Sequence, residues 1–247
     1  MILDKLAGFV EFSKGVMVVA AGNSPEESSV AHMISVPLAG RFKIMRISPT
    51  TVDKWYQWIK KKHGDQWDKS VYAFLKRFES EGYLLKLPRD NETLEQYGNP
   101  FSWERLGVDL YEGFDTLDDI IGWVGGELGQ KFYAFRKVKV DIEDLIRKPE
   151  LFNTLDLDGQ YMAVTMLASW LTDKAKKKNA ARQIAKSFPL IDQICEISRD
   201  LLVVCCMMLN KKTLTTFLRE LFKWNKDYSE LLDRIFLQLK KEITRSY

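Results

Sequence analysis

Gly15-Val16-Met17-Val18-Val19-Ala20-Ala21-Gly22-Asn23-Ser24-Pro25-Glu26-Glu27 is the stretch on which the reading of the fold turns. Residues 16–21 form a short, continuous apolar run rich in β-branched side chains and closed by Gly22. Such a run predicts a strand buried on both faces, as in a parallel sheet. Asn23 follows at its C-terminal edge. Ser24 then has the chemistry of an N-cap, Pro25 suits the first helical position, and Glu27 completes a capping box. The expectation is therefore strand, polar loop, short helix. In open α/β sheets that C-terminal edge is where ligands bind.

Working outward, residues 43–47 (KIMRI) alternate and stop at Ser48-Pro49, which predicts a second short strand. Thr50 is expected to cap a helix reaching about Lys62, with Val52, Trp55, Tyr56 and Ile59 on one face. After Gly64 the pattern is helical. Val71, Phe74, Leu75 and Phe78 make one stripe; Leu106, Leu110 and Phe114 belong to a second. Ile120, Val124, Leu128, Phe132 and Phe135 make a third. Residues 84–99, with Pro88, Asn91, Gly98 and Asn99, read as a long connection. From about Lys137 four or five further helices are expected, including residues 161–171, 184–206 with a break near Pro189, and 214–239. Two strands cannot make a stable buried parallel sheet by themselves. The start of the chain thus reads as the end of a larger α/β domain. The expected fold is mostly α: a two-strand remnant of an α/β core over residues 1–49, then helices.

The 247 residues are 46% hydrophobic and 29% charged, the balance of a soluble globular protein able to bury a sizeable core. A net charge of +3 does not by itself call for nucleic acid or an anionic membrane. Cys195, Cys205 and Cys206 are odd in number, and two are adjacent, which speaks against a disulfide framework and for buried thiols in a reducing compartment. His32 and His63 have no neighbours at metal-ligand spacing. Asp4 and Lys5 interrupt any apolar leader, and the apolar run at 201–209 is about half the ~20 residues of a membrane span. A cytoplasmic location is the expectation. The lysine runs Lys60, Lys61, Lys62 and Lys174, Lys176, Lys177, Lys178 with Arg182 read as solvated helix faces and loops, without the aromatic interleaving of a nucleic-acid surface.

Residues 15–59, GVMVVAAGNSPEESSVAHMISVPLAGRFKIMRISPTTVDKWYQWI, resemble the MoxR branch of AAA+ ATPases. In that family a strand ends in Ala-Gly-Asn, the sensor 1 position. A loop and short helix lead to Pro-Leu-Ala-Asn-Arg-Phe, then to the last core strand and the first helix of a lid. The matching hexapeptide here is Pro37-Leu38-Ala39-Gly40-Arg41-Phe42. The preceding ILDKLAGFVEFSKGV is similar to the family's segment between Walker B and sensor 1. Residues 99–106 (NPFSWERL) resemble the lid motif Thr-Pro-Arg-Ser-Trp-Glu, and residues 120–135 resemble a later lid helix. The likeness is strongest over the first sixty residues, weaker to about residue 136 and weakest beyond.

The resemblance implies three parts: the end of an AAA+ core (1–49), a helical lid (50–136) and a helical C-terminal extension (137–247). It implies ATP-driven remodelling or assembly of client proteins by a ring of subunits, with Mg-ATP as the cofactor of the complete machine. No Gly-Lys-Ser/Thr and no apolar run ending in Asp-Glu occurs in the sequence. The P-loop amides and lysine that cradle phosphate, and the acidic pair that holds Mg²⁺, are thus not encoded here. This chain alone is expected neither to hydrolyse ATP nor to bind it tightly.

Two residues take catalytic roles by resemblance. Asn23 would orient the attacking water near the γ-phosphate; on local features alone it is a turn residue capping the next helix. Arg41 would be an arginine finger acting on a neighbouring subunit, a device worth roughly 10³–10⁵ in rate; the plain alternative is a surface Arg ahead of Phe42. The family's sensor 2 arginine falls at Phe101, which cannot contact phosphate. Arg105, four residues on and on the same helix face, is a weak substitute. A reading from another class stays open: a genuine short, non-catalytic helical module that docks on a complete AAA+ partner. No membrane partner is expected, and nucleic acid is not expected.

Overall fold

The computed structural model describes residues 13, 15–17, 19–22, 35–45, 50–88 and 96–225, and the backbone alone of residues 6–7 and 10–11. Two units are distinguished: Met1–Pro49 with Pro88–Glu95, and Thr50–Leu87 with Gln96–Tyr247.

In the first unit β1 (Leu6–Ala7) and β2 (Val10–Glu11) pair antiparallel, Leu6 opposite Glu11 and Ala7 opposite Val10. The described residues of the apolar run do not form the expected buried strand. They lie in no strand and are exposed, Met17 at 80% and Val19 at 76%. The reason is physical: a strand apolar on both faces needs ladder partners and covering layers, and no described residue supplies them. Residues 43–45, expected in the second strand, are likewise outside any strand, with Ile44 and Met45 exposed. A one-turn helix not anticipated from the pattern, α1 (Val36–Ala39), starts after Ser35 with proline in its first turn. The expected cap at Ser24 and the end of the second strand lie outside the described residues.

The second unit is helical throughout its described residues. Its first helix, α2 (Val52–His63), starts one residue later than expected: Thr51, not Thr50, is the N-cap, its hydroxyl accepting the Lys54 N–H at 3.3 Å. Gly64 at φ 61° ends it. Val52, Trp55, Tyr56 and Ile59 are buried as the spacing requires, each side chain contributing about 1.5–3 kcal/mol of transfer free energy. Next comes α3 (Ser70–Arg77), whose residues 70–75 are all buried because it runs through the middle of the unit, touching α2 and later helices.

Asn99 caps α4 (Pro100–Glu112), accepting from the Phe101 and Ser102 N–H groups at 3.0 Å each. Gly113 at φ 98° stops α4 before Phe114, which is exposed rather than part of the buried stripe. The third stripe is buried in full but is carried by two helices, α5 (Leu117–Val124) and α6 (Gly126–Arg136). Gly125, at φ 85°, makes the corner; a Cβ there would meet the Gln96 carbonyl oxygen at 2.2 Å.

Then follow α7 (Ile142–Arg147), a 3₁₀ segment (Pro149–Thr154), and α8 (Leu157–Lys174), which packs on α3. The last four are α9 (Ala180–Ala185), α10 (Phe188–Ile197), α11 (Arg199–Met208) and α12 (Lys211–Trp224). The break expected near Pro189 falls at residues 186–187, and a second, not anticipated, falls at Ser198. One apolar core runs from Val52 to Leu221, with Phe74 against Trp103, Phe132 and Phe135. The chain is mostly α. Among the described residues no helix is long and apolar enough to cross a membrane.

Candidate functional site

Of the residues singled out from the sequence, Arg41 belongs to the first unit and Arg105 to the second. Asn23 lies outside the described residues. Arg41 sits in the turn after α1, exposed, its N–H bonded to the Leu38 carbonyl at 3.1 Å. Val36, the first residue of α1, is 85% exposed. Arg105 is exposed on α4, and its guanidinium lies 5.3 Å over the ring of Phe101, one helical turn back. Phe101 itself meets Trp123 edge-on at 6.4 Å, and Trp123 donates its indole N–H to Asp109 at 2.7 Å. Arg105 is therefore held in a cation–π contact on the outer face of α4.

An ionic cluster joins α2 to α4. The Glu104 carboxylate is buried and accepts from Lys62 Nζ at 2.6 Å; His63 Nε2 lies 2.9 Å from the same oxygen. Burial disfavours the Glu104 charge, but the hydrogen bonds and charges of Lys62 and His63 outweigh it and hold the carboxyl below its ordinary range. Trp67 donates its indole N–H to the Glu104 carbonyl at 2.9 Å, and Gly107 lets Trp67 lie against α4: a Cβ there would be 2.1 Å from the indole. These contacts clamp the α2–α3 turn onto α4. The cluster ties two helices and the turn between α2 and α3 together, so it reads as structural.

Lys60 is not the solvated residue expected. Its ammonium donates to the carbonyls of Met207 and Leu209, both at 2.7 Å, and so closes the C-terminus of α11. Lys62 also lies over the ring of Trp58 at 4.8 Å. Trp58 is 45% exposed, unlike the buried Trp55, Trp67 and Trp103. Lys54, Trp58, Lys61 and Lys62 stand at i, i+4, i+7 and i+8, so they share the outer face of α2, and all four are exposed. Lys61 and Lys62 are solvated as expected, but the place of Trp58 among these lysines was not seen in the sequence. The helical spacing that picks out the buried face would have found it.

Cys205 and Cys206 are buried, and burial pushes the Cys205 thiol up to about 12 and raises that of Cys206, so both are protonated and inert. Among the described residues no group of His, Cys, Asp and Glu is placed to hold a metal ion. An open hollow of about 510 Å³ is lined by residues 136–141 and Met166, with no Ser, Thr, Cys or His in its wall. Comparison of the chain with protein-family models, curated proteins and solved structures finds no match.

Proposed function

We propose that the chain is the C-terminal part of a MoxR-like AAA+ ATPase, contributing the end of the nucleotide-binding core and its helical lid to a ring that remodels client proteins. Asn23 would orient water and Arg41 would reach the γ-phosphate held by a neighbouring subunit. The observation that carries the reading is the state of the first unit. Val16, Met17, Val19, Ile44 and Met45 are exposed along segments whose sequence suits buried strands, and Arg41, between those segments in the sequence, is exposed. Apolar runs of this kind call for further strands and helices to cover them. Mg-ATP is the cofactor of the complete ring, bound by elements this sequence does not carry.

The test supplies those elements. The chain alone should show no ATP turnover. Mixed with a P-loop-bearing core of the same family it should support turnover that Arg41→Ala lowers by about 10³ while nucleotide binding persists. Arg41→Lys should not restore the rate, because a flexible point charge does not reproduce the planar guanidinium fork. Unchanged turnover in Arg41→Ala would refute the arginine-finger assignment.

The exposed apolar segments equally favour a second reading, a non-catalytic helical module docking on a complete AAA+ partner. Under it Arg41→Ala leaves turnover intact, whereas Met17→Asp with Val19→Asp abolishes association.

A further inference from the structure

The outer face of α2 has the composition of a polyanion surface with a stacking platform at its centre. Lys54 and Lys61 are exposed, and neither is paired with a described carboxylate. They stand about 10 Å apart along the helix axis. Between them Trp58 is half-exposed, with the Lys62 ammonium 4.8 Å from its ring. Lys62 is fixed from behind by the buried Glu104. The α11–α12 junction reaches the C-terminal end of the same helix, through Lys60 to the Leu209 carbonyl and Asn210 to Asp65, and there it carries exposed Lys211 and Lys212. Asp65 is itself engaged by Lys69 and Asn210.

We infer that this face binds single-stranded nucleic acid, with phosphates on Lys54 and Lys61 and an unpaired base stacked on Trp58. The inference does not rest on the ATPase reading. Charge complementarity sets the class of partner: cations not paired to described carboxylates attract a polyanion and release its counterions. The tryptophan narrows it, because an exposed indole flanked by lysines offers a base a π-face that a duplex keeps stacked internally. A lipid surface fits less well. The apolar face of α2 (Val52, Trp55, Tyr56, Ile59) is consumed by the core, so the helix has no apolar face left to insert. Lysines on flexible stems read phosphate without sequence, so modest base preference is expected.

The experiment uses the whole chain and follows fluorescence anisotropy of a labelled oligothymidylate and an oligouridylate across a salt series. Binding should weaken linearly on a log–log salt plot. Trp58→Ala should weaken it about 5- to 150-fold, the range for loss of one base–aromatic stack. Trp58→Phe should recover part of that loss. Lys54→Gln and Lys61→Gln should each lower the salt slope by about 0.7. Lys176→Gln, in the other lysine run, should change neither. A duplex of the same length should bind more weakly than the single strand. No binding at low salt, or binding indifferent to Trp58, overturns the inference. So does equal, Trp58-dependent binding to polyglutamate or to phosphatidylserine vesicles, since the face would then be a general anion or membrane surface.

Discussion

Valine and isoleucine meet opposite fates in the two units. In α2, Val52 is 4% exposed and Ile59 is fully buried; in the first unit, Val16 is 47% and Val19 76% exposed. The side chains are alike, so the difference lies in the backbone. A helix satisfies its own N–H and C=O groups within one segment and asks its surroundings only to cover one face. Strands must find both hydrogen-bond partners and covering layers elsewhere. The second unit contains everything its helices need, and among its described residues the first unit does not.

That contrast is most easily broken with Phe132→Ala. Phe132 is fully buried against Phe74 and Trp103, and its loss should cost about 4 kcal/mol in denaturant unfolding. A cost below about 1 kcal/mol would mean the second unit is loosely packed and the comparison false.

Gly107→Ala should follow at about 3 kcal/mol, because the added methyl collides with Trp67 and forces α4 away from the α2–α3 turn. A neutral result would show that Trp67 can yield.

Glu104→Gln sharpens the electrostatic part. The folded carboxyl titrates below its unfolded value, so its stabilisation is complete above about pH 4.5 and is lost as pH falls through the lower folded value. Wild type should exceed the variant by about 1.5 kcal/mol at neutral pH, with the gap closing in acid. A gap independent of pH would show that the Lys62–Glu104–His63 charge cluster contributes nothing to folding.

Val19→Ala should be the smallest effect, within about 0.5 kcal/mol in the isolated chain. The same substitution should weaken association with any sheet-bearing partner, measured by co-purification. Strong destabilisation of the isolated chain would place residue 19 in a core and erase the contrast between the units.

The helices of the second unit were legible because each stripe is a local periodicity. Val52, Trp55, Tyr56 and Ile59 were all placed correctly, as were the five buried residues from Ile120 to Phe135. Errors in these helices fell where a single backbone position decides. Gly125 split one expected helix into two, Gly113 ended another short of Phe114, and Thr51 displaced Thr50 as a cap. The candidate site was less legible, since Asn23, Arg41 and Arg105 were assigned by resemblance. Arg41 and Arg105 are both exposed, but the phosphate they would contact is not part of this chain.

The sequence by itself determined which residues make helices and which faces of those helices are apolar, because spacing of 3.6 residues is written locally. Only the tertiary structure decided that Lys60 closes α11 from far along the chain and that Glu104 is held by Lys62 and His63. Those outcomes depend on which helices come to lie side by side, and no local spacing encodes a partner more than a hundred residues away.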